Sequence, residues 1–312
     1  MNEGRAEQTD VSLPSWKEVL STPPPRVVPP EPQEPQQPAE PEARDRLLVH
    51  LVWEVLLAMA AVGLVLANLA QASADYLTAM FGTAAPLGLV AVGLALSLRT
   101  AAPNLAVGMI ALVTGALAVH LVQDGWGSGP SIAAALGAAL LGGVLLGLLA
   151  MLLSAPAWAL SLGLVVVLMA VYQVLTGDGP AGAVQLGDYP AAGAFAGFAV
   201  LSAAGGAVWL IPGVRRAFSG LRREADPGRW AGLRAGLGAL AGLAGSALLA
   251  GGGGILDAMR AGGALPADVM TVTVTVMVSA LAAVLIGGVS VFGRRGGIFG
   301  TLFGVVIVVA VR

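Results

Sequence analysis

The sequence predicts an all-α integral membrane protein, a polytopic helical bundle preceded by a disordered, proline-rich N-terminal tail. Of its 312 residues, 57% are hydrophobic and only 11% are charged, which lies outside the usual range for soluble domains. The 44 glycines suit helices that pack closely through small residues, because lipid supplies no hydrophobic drive between helices. From Leu47 onward the apolar runs approach the ~20 residues that a bilayer requires.

The first segment, residues 1–46, differs sharply from the rest of the chain. Ten of the 19 prolines lie in residues 1–43, with Glu and Gln between them. Such a composition cannot bury a hydrophobic core. We therefore expect a disordered cytoplasmic tail over 1–46 and a membrane domain over 47–312.

Nine apolar runs follow the tail, and each is interpreted as one membrane span. Their approximate bounds are 47–70, 78–98, 104–122, 131–153, 156–175, 191–211, 233–255, 269–292 and 297–311. The eighth run contains TVTVTVMV, residues 271–278, whose alternation is typical of a strand in a soluble protein. Since an isolated strand leaves its backbone unsatisfied in lipid, we predict a helix whose threonine hydroxyls donate to carbonyls one turn back.

The loop charges predict the orientation, because Lys and Arg in short loops stay in the cytoplasm. With nine spans, the basic loops share one side with the N-terminus, and the C-terminus lies outside. The loops of the other side carry one arginine, Arg260, and six aspartates. The residues that fix this assignment are Arg44, Arg46, Arg99, the stretch 212–236, Arg294 and Arg295 inside, and Asp75, Asp124, Asp178, Asp188, Asp257 and Asp268 outside.

Several kinds of chemistry are excluded. The chain has no cysteine, and its histidines, His50 and His120, lack metal-ligand spacing. Lys17 is the only lysine, so the phosphate-binding loop of Walker-type ATPases is not present. We expect no metal, no cofactor and no nucleic-acid partner on this chain, and we interpret the glycine run 251–254 as a helix break.

Small residues at four-residue spacing predict close helix contacts. The pairs are Gly143 with Gly147 and Gly238 with Gly242. A glycine pair on one helix face lets a neighbouring backbone approach. In a glycine-rich chain these pairs indicate packing only.

Two polar positions inside or beside spans are candidates for a solute path. Glu54 lies within the first span, where an acid is a functional hypothesis by default, although its closeness to Arg46 also allows an interfacial position. Asn104 follows Pro103 at the head of the third span. Its helix start either presents exposed N–H groups to a solute or is an ordinary capped start.

The stretch 212–236 concentrates charge in an apolar chain. It holds six arginines together with Glu224 and Asp226, and Pro227-Gly228 predicts a turn after a short helix ending near Ala225. A positive-inside anchor needs only a few basic residues at the span ends. The central acids, the turn and Trp230 favour a docking element for a partner protein over a simple anchor.

The C-terminal run AAVLIGGVSVFGRRGGIFGTLFGVV, residues 282–306, resembles the signature of ribose-type ATP-binding-cassette importer permeases. That signature combines an alanine-rich helix, Gly-Gly, a Gly-Gly-x-Gly turn and Gly-Thr-x-x-Gly. The matching positions are Gly287, Gly288, Gly293, Gly296, Gly300, Thr301 and Gly304.

Two weaker matches occur in the family's order. NLAVG resembles the family's Asp-Leu-Ser-Val-Gly, with Leu105, Val107 and Gly108 kept and Asn104 in place of Asp. The stretch after residue 223 resembles the family's cytoplasmic loop, and its matching positions are Glu224, Ala225 and Gly232.

The resemblance implies a permease subunit in a bacterial cytoplasmic membrane. Its partners would be a second permease, cytoplasmic ATPase subunits that hold ATP and Mg, and an extracytoplasmic solute-binding protein. A sugar is the implied solute, with nucleosides and branched-chain amino acids as alternatives, and the family's usual last helix is expected to be missing. The implied solute path includes Asn104, Gly108 and Glu54, and the implied coupling residues are Arg222, Arg223, Glu224, Ala225, Asp226, Arg229 and Gly232.

Two other functional classes remain open from the sequence. One is a channel or secondary transporter that works alone, which usually needs several ionisable groups in the membrane. The other is a membrane scaffold recruited through the proline-rich tail.

Overall fold

A computed structural model describes residues 47–70, 75–153, 155–177, 184–208, 211, 213–214, 232–290 and 299–312. The elements found in these ranges are helices, and no strand occurs among them. The nine that we label are α1 (Leu47–Leu69), α2 (Tyr76–Arg99), α3 (Val107–Gln123), α4 (Ser128–Leu152), α5 (Ala157–Thr176), α6 (Ala191–Val208), α7 (Gly232–Arg260), α8 (Val269–Ile286) and α9 (Gly300–Ala310). The predicted tail 1–46 lies outside the described residues.

Seven of these helices, namely α1, α2 and α4 to α8, are long and apolar enough to cross a membrane. The other two are shorter, with 17 residues in α3 and 11 in α9. At about 1.5 Å per residue, α9 is only about 16 Å long. The protein is therefore an all-helical, multi-pass membrane protein, as the composition predicts.

The interior of the bundle is formed by α2, α3 and α7. In the membrane-length segments of α2 and α7, 67% and 61% of the residues are buried, against 11% in α5 and 17% in α1. Helix α7 packs against α2, α3 and α4. Large apolar side chains of α1, α4, α5 and α6 lie exposed on the outside, where lipid would cover them.

Helices α4 and α7 meet through glycines, as the spacing of Gly143 and Gly147 predicts. A Cβ on Gly147 would lie 2.6 Å from Cα of Leu240, and one on Gly143 would lie 2.8 Å from the carbonyl oxygen of Leu243. Neither position has room for a side chain. The predicted close contact is confirmed for this pair.

The glycine run 251–254 does not break a helix, so that prediction is wrong. Helix α7 passes through it without interruption. A Cβ on Gly253 would lie 2.6 Å from the carbonyl oxygen of Pro86, and one on Gly251 would lie 2.9 Å from Cβ of Ala139. The run brings neighbouring helices close to α7 on several sides.

Helix α8 includes the alternating Val-Thr segment, so the helix predicted there is confirmed. The predicted hydroxyl bonding differs in detail. Thr273 donates to Sδ of Met109 on α3 at 3.2 Å, whereas Ser279 donates one turn back to the carbonyl oxygen of Thr275 at 2.6 Å. One of these hydroxyls therefore links two helices.

Candidate functional site

A cavity of about 250 Å³ lies between α2, α3, α7 and α8. Residues 264–266, which follow α7, and Arg312 complete its lining. It therefore lies toward the C-terminal end of α7, at Arg260. Its lining side chains are mostly aliphatic, and the residues that carry hydrogen-bonding or charged groups are Thr83, Asp257, Arg260, Thr275 and Arg312.

Glycines bring the helices around this cavity together. A Cβ on Gly115 of α3 would lie 2.8 Å from the carbonyl oxygen of Gly254 on α7. On the other side, Gly108 packs against α8, where a Cβ would lie 2.5 Å from the carbonyl oxygen of Thr273. Since Gly108 and Gly254 also line the cavity, its walls are partly formed by exposed backbone.

An ion pair lies at the rim of the cavity. Arg260 donates to Oδ1 of Asp257 at 3.0 Å through Nε and at 2.8 Å through a terminal nitrogen. Nearby, the hydroxyl of Tyr189 donates to the carbonyl oxygen of Gly82 at 2.9 Å. Burial raises the pKa of Tyr189 to about 12, with Arg260 opposing this rise and Asp257 adding to it. The phenol therefore remains a hydrogen-bond donor at neutral pH.

The third charged group of the cavity is Arg312. Its guanidinium donates to the hydroxyl of Ser279 on α8. Within the part of the chain that the structure describes, no Asp or Glu side chain pairs with it. The side chains of the lining therefore include two guanidinium groups and one carboxylate, with a net side-chain charge of +1.

The chain between α2 and α3 is not helical, yet it is buried. Helix α2 ends in a Schellman motif, in which the N–H of Ala102 donates to the carbonyl of Ser97 and that of Ala101 to the carbonyl of Leu98. Ala101 occupies the left-handed position of this motif, with φ of 54°. Non-helical backbone at membrane depth requires protein partners for its polar groups.

Buried side chains supply those partners. The N–H of Asn104 donates to Oγ of Ser97 at 3.1 Å, and the N–H of Leu105 donates to Oγ of Ser161 on α5 at 3.0 Å. Oδ1 of Asn104 accepts from the N–H of Ala106 at 3.1 Å, and its Nδ2 donates to Oγ of Ser246 at 3.2 Å. We call Ser97, Asn104, Ser161 and Ser246, which are all fully buried, the polar junction.

Ser246 indicates how deep the polar junction lies. It is the fifteenth of the 29 residues of α7, so it is about 21 Å from either end of that helix at 1.5 Å per residue. The helix that the sequence predicts to begin at Pro103 begins four residues later, at Val107. The N–H groups before α3 bind protein oxygens and do not face a solute at the membrane edge.

No known protein family, curated protein or solved structure matches the chain.

The predicted solute-path residues fall in two places. Gly108 lines the cavity, and Asn104, four residues earlier in the non-helical connection, belongs to the polar junction. Glu54 lies apart from both. It is only 8% exposed, and its Oε1 accepts from the N–H of Phe299, directly before α9, at 3.3 Å.

Helix α1 holds α9 at both ends. Besides the contact of Glu54 with Phe299, Nδ2 of Asn68 donates to the carbonyl oxygen of Ala310 at 2.8 Å. A helix leaves N–H groups at its start and carbonyl groups at its end without internal partners. In the described structure Glu54 therefore contributes to anchoring the short helix α9.

The glycines of the C-terminal signature lie where α8 and α9 meet. A Cβ on Gly287 would lie 2.5 Å from the carbonyl carbon of Gly300, and Gly304 packs against the carbonyl of Ala283. Gly288 has φ of 80°, which a side chain rarely adopts. Gly293 and Gly296 lie outside the described residues.

Almost all of the predicted coupling residues also lie outside the described residues. Gly232 is the first residue of α7. The other members lie outside the described ranges, namely Arg222, Arg223, Glu224, Ala225, Asp226 and Arg229.

Sequence reasoning did not assign the charged residues of the cavity to a site. The sequence prediction puts Asp257 and Arg260 in a loop, because the seventh apolar run ends at residue 255. Their spacing of three residues, typical of an ion pair on a helix, was the available signal. For Arg312 no signal existed, because its position depends on the packing of α9. In the described part of the chain, no cluster of His, Asp and Glu suits a metal.

Proposed function

We propose that the chain is the membrane-spanning permease subunit of an ATP-binding-cassette importer in a bacterial cytoplasmic membrane. The observation that supports this best is a cavity with charged and hydroxyl groups inside a membrane bundle, lined on one side by α3, which begins at membrane depth. Many transporters bind their solutes near the bilayer midplane, beside helices that begin or break there. The solute would be small and polar, and a sugar is the class that the resemblance implies.

The proposal keeps the predicted alternation of nine apolar segments with the N-terminus inside, in which α9, only about 16 Å long, points outward without crossing the ~30 Å hydrocarbon core. Helix directions support this alternation. Helix α7 is antiparallel to α2, since Gly242 packs on Thr100 and Gly253 on Pro86, and α1 is parallel to α9, since Glu54 and Asn68 meet its start and its end. In an alternating series of nine segments, the first and the ninth must run in the same direction, as α1 and α9 do.

Topology is directly measurable, because the chain has no native cysteine. Single cysteines replace Ser219 in the stretch 212–232 and Asp188 before α6. In sealed right-side-out vesicles, a membrane-impermeant maleimide is expected to label Asp188→Cys but not Ser219→Cys until the vesicles are opened. The reverse pattern, or equal labelling of both, would contradict the proposed orientation.

The partners follow from the proposal. Two permeases would assemble with two cytoplasmic ATPase subunits, which hold ATP and Mg, and with an extracytoplasmic solute-binding protein. ATP-driven closure of the ATPases would push on the stretch 212–232, which leads directly into α7. Because α7 packs against α2, α3 and α4, its movement would reach the cavity and alternate its access.

The coupling step is tested by charge reversal. Arg222→Glu/Arg223→Glu is compared with Arg5→Glu/Arg26→Glu, which makes the same charge change in the proposed cytoplasmic tail, away from the first span. The first variant is expected to lose ATPase association and uptake, whereas the control keeps both. Equal behaviour of the two variants would reject the docking role of residues 212–232.

Purification in mild detergent separates this proposal from the other two classes. An ATPase that copurifies supports the importer. Uptake by the chain alone in liposomes supports a channel or secondary transporter, and the absence of both supports a scaffold.

A further inference from the structure

The α2–α3–α7–α8 cavity has a chemistry of its own. Its twenty lining residues include five with charged or hydroxyl side chains, and none with an aromatic or amide side chain. A sugar carries a hydroxyl on nearly every carbon, and each hydroxyl that is buried without a partner destabilises the complex. The lining offers too few partners for such a molecule.

The charges of the cavity favour an anion. Asp257 and Arg260 already pair with each other at 2.8 Å. The side chain of Arg312 donates only to the neutral hydroxyl of Ser279 in the described structure, and the net side-chain charge of the lining is +1. A guanidinium binds a carboxylate through two parallel hydrogen bonds.

The remaining walls favour a short aliphatic chain. Leu87, Val90, Leu112, Val272 and Val276 line the cavity from α2, α3 and α8. The volume of about 250 Å³ lies below the ~300–1,000 Å³ of pockets for drug-sized ligands. The cavity therefore suits a small molecule with one apolar end.

We propose that this cavity binds a small aliphatic carboxylate, whose carboxylate pairs with Arg312 and whose chain contacts the leucine and valine side chains. Thr275, which lies one turn before Ser279 on α8 and also lines the cavity, supplies a further donor. The inference deepens the transport function proposed above, since it names a solute class for the same site, and that class differs from the sugar implied by the resemblance.

The test is direct binding to the purified full chain in lipid nanodiscs, without any ATPase. The probes are isovalerate and its uncharged amide, isovaleramide, which has nearly the same shape. Isovalerate is expected to bind at least about tenfold more tightly than the amide, because only the carboxylate makes charge-assisted hydrogen bonds. Equal affinities would overturn the proposal.

Two variants locate the carboxylate. Arg312→Gln is expected to weaken isovalerate binding at least about tenfold, and Arg312→Lys less. Arg234→Gln makes the same charge change at an exposed position at the start of α7, remote from the cavity, and is expected to leave the affinity unchanged. An unchanged affinity in Arg312→Gln, or an equal loss in Arg234→Gln, would overturn the role of Arg312.

Arg312 also lies at the end of α9, where a cation is favourable beside the last carbonyl groups. A purely structural role predicts that Arg312→Gln lowers thermal stability while the ratio of isovalerate to isovaleramide affinity stays constant. A constant affinity ratio would overturn the proposal even if the variant folds poorly.

Ribose and leucine are two further probes in the same binding assay. Binding of ribose, or of leucine tenfold more tightly than isovalerate, would show that the cavity selects hydroxyl groups or an ammonium group and would overturn the assignment. Both results leave the importer proposal standing. Conversely, isovalerate binding by a chain that recruits no ATPase supports the cavity assignment and rejects the importer.

Discussion

Substitution of two adjacent glycines on α4 tests how closely this bundle is packed. A Cβ on Gly143 would lie 2.6 Å from Cβ of Ala247, 2.8 Å from the carbonyl oxygen of Leu243 and 2.9 Å from Cα of Ala244. A Cβ on Gly142 meets nothing within 4 Å. The two positions share a helix and a depth and differ in what faces them.

The expected effects have opposite signs. Ala is favoured over Gly within a helix by about 0.8–1.0 kcal/mol, so Gly142→Ala should stabilise the protein by up to about 1 kcal/mol. Gly143→Ala gains the same term but forces the backbone of α7 away by several tenths of an ångström. Overpacking typically costs about 1–3 kcal/mol. We expect a cost near the upper end of this range here, because the contacting atoms include backbone atoms, which cannot rotate aside. We expect the two variants to differ by about 2–3 kcal/mol.

The measurement is unfolding of each purified variant in the same detergent, followed by the loss of helical circular dichroism during titration with sodium dodecyl sulfate. Gly147→Ala, which would bring a Cβ to 2.6 Å from Cα of Leu240, should behave like Gly143→Ala. If Gly143→Ala proves as stable as Gly142→Ala, the close approach of α4 and α7 described above is incorrect.

The same assay serves three further predictions. Asn104→Ala leaves the buried N–H of Ala106 without its acceptor and removes the bond to Ser246, so it should destabilise the protein by about 2–4 kcal/mol. Asn104→Asp keeps Oδ1 and should restore the acceptor for Ala106. If the alanine variant is destabilised by less than about 1 kcal/mol, the polar junction is refuted. Ala101→Gly should stabilise by up to about 1 kcal/mol, because glycine adopts the left-handed conformation without the steric penalty of a side chain; a loss of stability would contradict the Schellman motif. At the start of α8, the pKa of Asp268 is lowered, first by a hydrogen bond with the side chain of Thr271 and then by the N–H of Thr271, which donates to Oδ1 of Asp268 at 3.1 Å. Its stabilising effect is therefore complete above the ordinary aspartate value of about 3.9 and is lost as the pH falls through the lower folded value. Asp268→Asn, which caps without titrating, should lose less stability than the native chain between pH 6 and pH 3, and parallel losses would refute the cap.

The helical class and most of the helix positions were predictable, because lipid imposes them. A backbone in hydrocarbon must satisfy its polar groups internally, so each apolar run of sufficient length becomes a helix. Even the alternating segment 271–278 follows this rule rather than its strand-like pattern. The ends of the helices were less predictable, as the extension of α7 to Arg260 and the late start of α3 at Val107 illustrate.

The error at the glycine run 251–254 has a physical cause. Glycine lowers helix stability in water by exposing the backbone and by its entropy, which suggested a break. Inside the bundle the same absence of a side chain allows α2 and α4 to approach α7 closely. Tertiary packing therefore outweighs the low intrinsic helix propensity of glycine at this run.

The cavity was the least predictable feature, because its charged residues come from distant parts of the chain. Arg312 reaches α8 only because α9 is short and is held between Glu54 and Asn68 of α1. The polar junction shows a similar dependence, since Asn104 on the α2–α3 connection meets Ser246 in the middle of α7. Helix α7 takes part in both features, since it carries Ser246 and also lines the cavity. If α7 moves in the proposed transport cycle, the bond between Asn104 and Ser246 and the shape of the cavity are expected to change together.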